Sequence, residues 1–264
     1  MLFLKEYKSK KIKNENLNKS RKKVFNSKNP NLEFLLYKRF SWMKNYIKNK
    51  EHIIELGSGN GCIKKIINSK KIILTDIIKH KWINKKIDMR KINLGKKYYN
   101  KIDVFIFNHS LHHCSNPSKT LKLISRYLKK GGHILLNEPE TSFSLRLIQY
   151  ILDDEGWSFK VDIFNTKKDI FISDDPWFSN TATANLLFSN PNKFHKNFPS
   201  YQIIKNELSE FLIFINSSGV NQNIFYIRSN KFLNSILSFI DKILIFMFPK
   251  IFALNRSVVI KKFK

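Results

Sequence analysis

The chain has 264 residues, 42% hydrophobic and 14% aromatic, enough for one large α/β domain with a sizeable core. Its formal net charge of +28 raises a polyanion or an anionic membrane as partner, although the crowding of Lys, Asn, Ile and Phe also fits a genome-wide composition bias. The two cysteines, Cys62 and Cys114, exclude a disulfide scaffold, and neither stands in a Cys/His spacing that predicts a metal site.

At the start of the chain, MLFLKEYKSKK carries no apolar run of signal-peptide length, which predicts a cytoplasmic protein. Residues 1–29 are rich in Lys and Asn and predict a basic, flexible arm. After Asn29-Pro30, Leu32, Leu35, Leu36, Phe40, Met43 and Ile47 recur at steps of three and four, the pattern of an amphipathic helix. From residue 52 strands and helices alternate. HIIEL is a strand and GCIKKIINS opens a helix; KIILTD is a second strand ending on Asp76, and KKIDMRKI a weaker third. KIDVFIFNHS is a fourth strand, apolar enough at its centre to be buried on both faces. PSKTLKLISRYLKKGG predicts a helix with Pro117 near its start and Gly131-Gly132 after its last turn, and HILLNEP a fifth strand. This alternation predicts a parallel, doubly wound sheet.

Beyond Pro139 the periodicity weakens. A helix over 141–152, a polar insertion with scattered aromatics to about 200, and two late strands, YQIIKNEL and RSVVIKKF, are predicted. Between those strands the apolar stretch KFLNSILSFIDKILIFMFPKIFAL is interrupted by Asp241-Lys242 and Pro249-Lys250. It therefore predicts a core or interfacial helix within 229–254, not a membrane span. One domain over 30–264 follows, with its central core at 50–140, an insertion at 141–200 and the apolar helix before the last strand.

The loop GSGNG after the first strand suits a nucleotide-like ligand. Its third glycine comes one residue too early for the dinucleotide fingerprint, and no Gly-Lys-Ser/Thr follows to make a phosphate loop. Glu55, just before the loop, would repel a pyrophosphate and suits a ligand with a cationic amino group.

ELGSGNG resembles the first motif of class I methyltransferases dependent on S-adenosylmethionine (SAM), an acid followed by G-x-G-x-G. IDVFIFNHSLHHCSNPSKTLKLISRYLKKGGHILLNEPE is similar to the family's fourth-strand block, so the resemblance covers residues 50–140 strongly and RSVVIKKF weakly. It implies a Rossmann-like, seven-stranded α/β sheet with an antiparallel last strand, irregular and helical insertions in the C-terminal half, and SAM as cofactor. It assigns Glu55, Gly57, Ser58, Gly59 and Gly61 to the cofactor loop. It places Asp76 with Ile77 at the ribose, Asp88 with Met89 at the adenine, and Asn108 at the end of the fourth strand. LHHCSN is similar to the LHDWSD-type segment of an O-methyltransferase group, which implies His112 as general base and His113 as its alternate; His109 lies in the same loop.

Glu138, Asp154, Glu155, Trp157 and Trp177 would line the acceptor pocket or pack as a lid. DDPWFSNTATA, KNFPSYQII, INSSGV and IFALNRSVVI resemble methyltransferases associated with bacterial surface-polysaccharide biosynthesis, with Ser217-Ser218-Gly219 departing where that subgroup carries two glycines. The resemblance implies a sugar hydroxyl or amine as acceptor, and the basic arm and the apolar helix would then favour peripheral contact at the inner membrane face; a lipid or quinone-like acceptor is the alternative. Nucleic acid is not favoured. NHSL replaces the Asn/Asp-Pro-Pro-Tyr/Phe of amino-methylating nucleic-acid enzymes, and no Pro-Cys pair is present.

Overall fold

Two short apolar segments, Ile53–Leu56 and Ile102–Asn108, are buried along nearly their whole length, as strands covered on both faces must be. They form the centre of the sheet in the computed structural model, which describes residues 6–8, 16–172, 175, 177–220 and 225–264. The strands are β1 (Glu6–Tyr7), β2 (Ile53–Leu56), β3 (Ile72–Asp76), β4 (Lys85–Lys86), β5 (Ile102–Asn108), β6 (Leu128–Pro139), β7 (Trp157–Ser158), β8 (Tyr201–Ser209) and β9 (Asn255–Lys262). Seven make one sheet in the order β4-β3-β2-β5-β6-β9-β8. β9 alone runs opposite to the other six strands.

Alternation along β5 divides the core in two. Val104 and Ile106 pack with Leu32, Leu36 and Phe40 of the helix Pro30–Phe40. Phe105 and Phe107 pack with Leu121 and Ile124 of the helix Pro117–Ser125 and with Phe188 and Phe194. Strand order reverses between β2 and β5, so the loops leaving their carboxyl ends diverge and open a crevice.

Four local features differ from the sequence reading. The predicted flexible arm, where described, is folded. Leu17–Asn26 is a helix capped by Asn16, with Leu17, Ser20 and Val24 buried, and β1 pairs antiparallel with β7. Its signal was weak because its few apolar side chains are supplemented by polar ones that bond the body of the protein. Arg21 Nη1 donates to the Asn60 carbonyl (2.7 Å) and Lys23 Nζ to that of Ser218 (2.6 Å). The third strand shrinks to Lys85–Lys86, because Asp88 accepts from Arg90 N–H (2.9 Å) and starts a tight turn over Met89–Lys91. The helix after the glycine loop is a single turn, Ile63–Ile66. Finally, Gly131 and Gly132 lie inside β6, not at the end of a helix. A Cβ on Gly132 would stand 2.7 Å from Leu128 Cδ1 and 2.8 Å from the Lys129 carbonyl, so close chain packing explains it.

The apolar stretch forms the helix Lys231–Met247 followed by the short helix Pro249–Phe252. It is turned inside out. Asn234, Ser238, Asp241 and Ile245 face the protein, and Asp241 accepts the N–H groups of Phe211, Leu212 and Ile213 at 3.0, 2.7 and 3.3 Å. Phe232, Phe239, Phe246 and Met247 face outward, Phe246 at 87% exposure. Among the described residues no helix is long and apolar enough to cross a membrane. In the Ser217-Ser218-Gly219 turn, Ser218 (φ 74°) and Gly219 (φ 66°) both take the left-handed conformation that two glycines would take without strain.

Candidate active site

The glycine loop owes its shape to three positive φ angles and to side chains that hold its backbone. Gly57, Gly59 and Gly61 lie at φ 68°, 50° and 70°. Asp76, at the end of β3, accepts from Gly59 N–H (2.8 Å) and Ile78 N–H (3.0 Å), while Trp82 Nε1 donates to the Gly59 carbonyl (2.8 Å). Across the crevice, Ser110 Oγ donates to the Leu56 carbonyl (2.7 Å) and ties the loop after β5 to that after β2.

Between these loops lies a cavity of about 710 Å³, room for a nucleoside-sized ligand and a small second molecule. Gly57, Ser58, Gly59, Asp76, Ile77, Asp88, Met89 and Asn108 all line it. Asp88 is gripped by the Arg90 guanidinium at 2.9–3.2 Å; burial opposes ionisation, but Arg90 holds its carboxyl below the ordinary range. Glu55 and Gly61, the other two residues assigned to the cofactor loop, do not line the cavity. Glu55 is sealed within β2, where burial raises its pKa to about 8 and Oε2 has no partner among the described residues. Gly61 serves packing, since a Cβ there would meet Arg21 Nη1, Leu74 Cδ1 and Trp82 Cδ1 at 3.0–3.3 Å.

The other end of the cavity carries histidines. The turn Leu111–His113 follows β5, and buried Glu138 of β6 accepts from the N–H groups of Ser110 (3.0 Å), Leu111 (2.8 Å) and His112 (3.3 Å). The same carboxylate accepts from His112 Nδ1 (2.6 Å), while His112 Nε2 meets Glu155 Oε1 at 3.2 Å. Burial would lower the His112 pKa, but Glu155 and Glu138 outweigh it and raise it to about 10. Both His112 nitrogens are therefore engaged by carboxylates, which favour the protonated ring. His113 Nδ1 lies 3.2 Å from the Phe178 carbonyl and its Nε2 3.3 Å from Glu155 Oε1. His109, at φ 49°, contrasts with both. Burial, then Arg39 nearby, holds its pKa well below the usual histidine value, and its buried Nε2 has no partner among the described residues.

A family model described as a methyltransferase domain matches residues 22–194, more than half of the chain. The chain belongs to that methyltransferase family. No curated protein matches it. Among solved structures, a SAM-dependent methyltransferase from Archaeoglobus fulgidus is 13% identical, with 91% of this chain and 97% of that one covered at a TM-score of 0.50. A structure described as a methyltransferase, from Bacillus halodurans, is 14% identical over 86% and 96% of the two chains, TM-score 0.45. The plantazolicin methyltransferase BpumL, in complex with SAH, is 16% identical over 93% and 90%, TM-score 0.45.

The methyltransferase uses SAM as its cofactor, and its cavity fits that group. The positive φ angles at Gly57 and Gly59 let bare backbone face the cavity, and Asn108 Oδ1 is a buried acceptor without a partner among the described residues, suited to a ligand N–H. The methyltransferase also builds its site from residues the sequence did not single out. Tyr7 lines the cavity, donates its hydroxyl to Asp153, and packs on Trp157 with ring centroids 5.1 Å apart. No local pattern marks Tyr7, because its partner segment lies some 150 residues away.

Proposed function

We propose that the methyltransferase methylates a hydroxyl of a lipid-carried sugar at an anionic membrane surface. The observation behind this reading is the inverted helix Lys231–Met247. Its outward apolar face continues through Pro249–Phe252 to the helix Phe143–Leu152, which exposes Leu147 and Ile151 and lines the cavity with Leu145, Ile148 and Leu152. An apolar surface next to a cavity lined in part by carboxylates matches an acceptor with a lipid tail and a polar head. Exposed Lys231, Lys242 and Lys250 flank that surface, each worth about 1 kcal/mol near anionic lipid.

Bound SAM supplies a methyl group on a sulfonium, transferred by in-line displacement. Asp76 keeps lone pairs for the ribose hydroxyls beside Ile77; Ile87 and Met89 flank the adenine, and Asp88 stands near its amino group. Asn108 Oδ1 receives the ammonium of the methionine part. Trp177 and the Asp154 and Asp175 carboxylates, all lining the cavity, give a sugar a ring to stack on and acceptors for its hydroxyls. His109, its Nε2 without a partner among the described residues, takes the hydroxyl proton; its strained backbone holds the ring at that place.

Incubation with methyl-labelled SAM and membrane extract tests the reading. Label is expected in glycolipid, and His109→Ala should lower kcat by about 10²–10⁴-fold with SAM affinity unchanged. Label confined to RNA, or to a lipid or quinone lacking sugar, would overturn it.

A further inference from the structure

We propose that His112, His113 and Glu155 form a site for one divalent transition cation of the zinc class, open to the cavity. Their donor atoms all lie within 4.8 Å of one another, and all three residues line the cavity. Two donors at about 2.1 Å from a tetrahedral zinc stand about 3.4 Å apart; here Glu155 Oε1 is 3.2 Å from His112 Nε2 and 3.3 Å from His113 Nε2. That spacing alone would serve hydrogen bonds equally well.

The rings' other nitrogens carry the argument. His112 Nδ1 is tied to Glu138 at 2.6 Å and His113 Nδ1 to the Phe178 carbonyl at 3.2 Å. Each bond places the Nδ1 proton on the outer side and leaves Nε2 facing Glu155 Oε1, where a cation would displace any proton held between them. Histidines that ligate metals are held this way, by a carboxylate or a backbone carbonyl behind the ring. Glu138 is itself fixed by three backbone N–H groups and cannot swing away. Two imidazoles and one carboxylate suit zinc, cobalt or iron(II) better than magnesium or calcium. Two carboxylates, Glu138 and Glu155, bracket the imidazoles, so a dication leaves the cluster balanced.

Three protein donors leave a coordination position facing the cavity, where an acceptor hydroxyl would bind and become more acidic. That use of the cation rests on the hydroxyl reading above; the site itself does not. It also departs from the sequence expectation of no metal, because His112-His113 gains its third donor from Glu155, in a segment 42 residues further on.

The test uses chelator-stripped full-length protein, titrated with Zn²⁺ by calorimetry and with Co²⁺ by visible absorption, without acceptor. One equivalent should bind, with cobalt ligand-field bands in the visible. His113→Ala and Glu155→Gln should each weaken binding at least about tenfold, and Glu138→Gln, behind His112, by about 10–100-fold. SAM affinity and the melting temperature of the metal-free variants report on their folding. No stoichiometric binding by folded wild-type protein, or binding indifferent to all three substitutions, would overturn the proposal and leave the cluster holding a proton.

Discussion

Single side chains decide how the glycine loop tolerates change. Gly57 and Gly59 share the left-handed conformation, which costs an L side chain about 1–2 kcal/mol. They differ in space: a Cβ on Gly57 would stand 2.7 Å from Ser110 Cβ, whereas on Gly59 the nearest atom is Leu17 Cδ2 at 4.0 Å. Gly57→Ala should therefore lower the melting temperature more than Gly59→Ala, by an extra overpacking term of about 1–3 kcal/mol. Equal losses would mean that Ser110 moves aside freely. Glu55 makes stability depend on pH. Its pKa is raised to about 8 by burial, so the folded state keeps a proton that the unfolded chain loses near 4.5. Its contribution is intact below about pH 4.5, declines between there and about 8, and is then lost, by roughly 3–5 kcal/mol at about 1.4 kcal/mol per unit. Urea unfolding of Glu55→Gln beside the parent protein should show the variant gaining relative stability across that window. A constant difference would place the Glu55 proton elsewhere.

At the scale of elements, the helix Leu17–Asn26 acts as a brace on the glycine loop. Arg21 reaches the Asn60 carbonyl and lies over the Phe25 and Trp82 rings at 4.1 and 4.8 Å, while Asn60 Nδ2 donates to Ser20 Oγ (2.7 Å). Deleting residues 1–28 should weaken SAM binding at least about tenfold in calorimetry and lower the melting temperature, since a well-placed charged hydrogen bond alone contributes about 1.5–3 kcal/mol. Unchanged binding would return this segment to the flexible arm its composition suggested. The contrast marks where local patterns stop being informative. β2, β5 and β6 were legible because burial on both faces writes continuous apolar runs, and the loop because GSGNG needs glycine for backbone reasons. The brace was not, because its contacts are polar and nonlocal. The same holds for the site: the histidines stood out by type, but which is charged and which free depends on Glu138, Glu155 and Arg39, brought together only by folding.

For the whole molecule, charge and apolar surface point the same way. Anionic vesicles should bind the protein, and Phe239→Glu with Phe246→Glu should cut binding by about tenfold or more without changing SAM affinity, as judged by co-sedimentation. Raising salt should weaken attachment but leave the apolar part in place. If the double variant instead changes only the oligomeric state, the face belongs to a second copy of the chain. The position of β9 between β6 and β8 bears on how such a surface is made. A ribosome delivers β8 first, then the inverted helix, and only afterwards the strand that joins β8 to the sheet. During that interval the nascent chain presents an unpaired edge and a row of outward phenylalanines together, the combination most exposed to aggregation. Sheet closure thus waits for the synthesis of β9, and the availability of a bilayer or chaperone during that interval bears on the yield of folded protein.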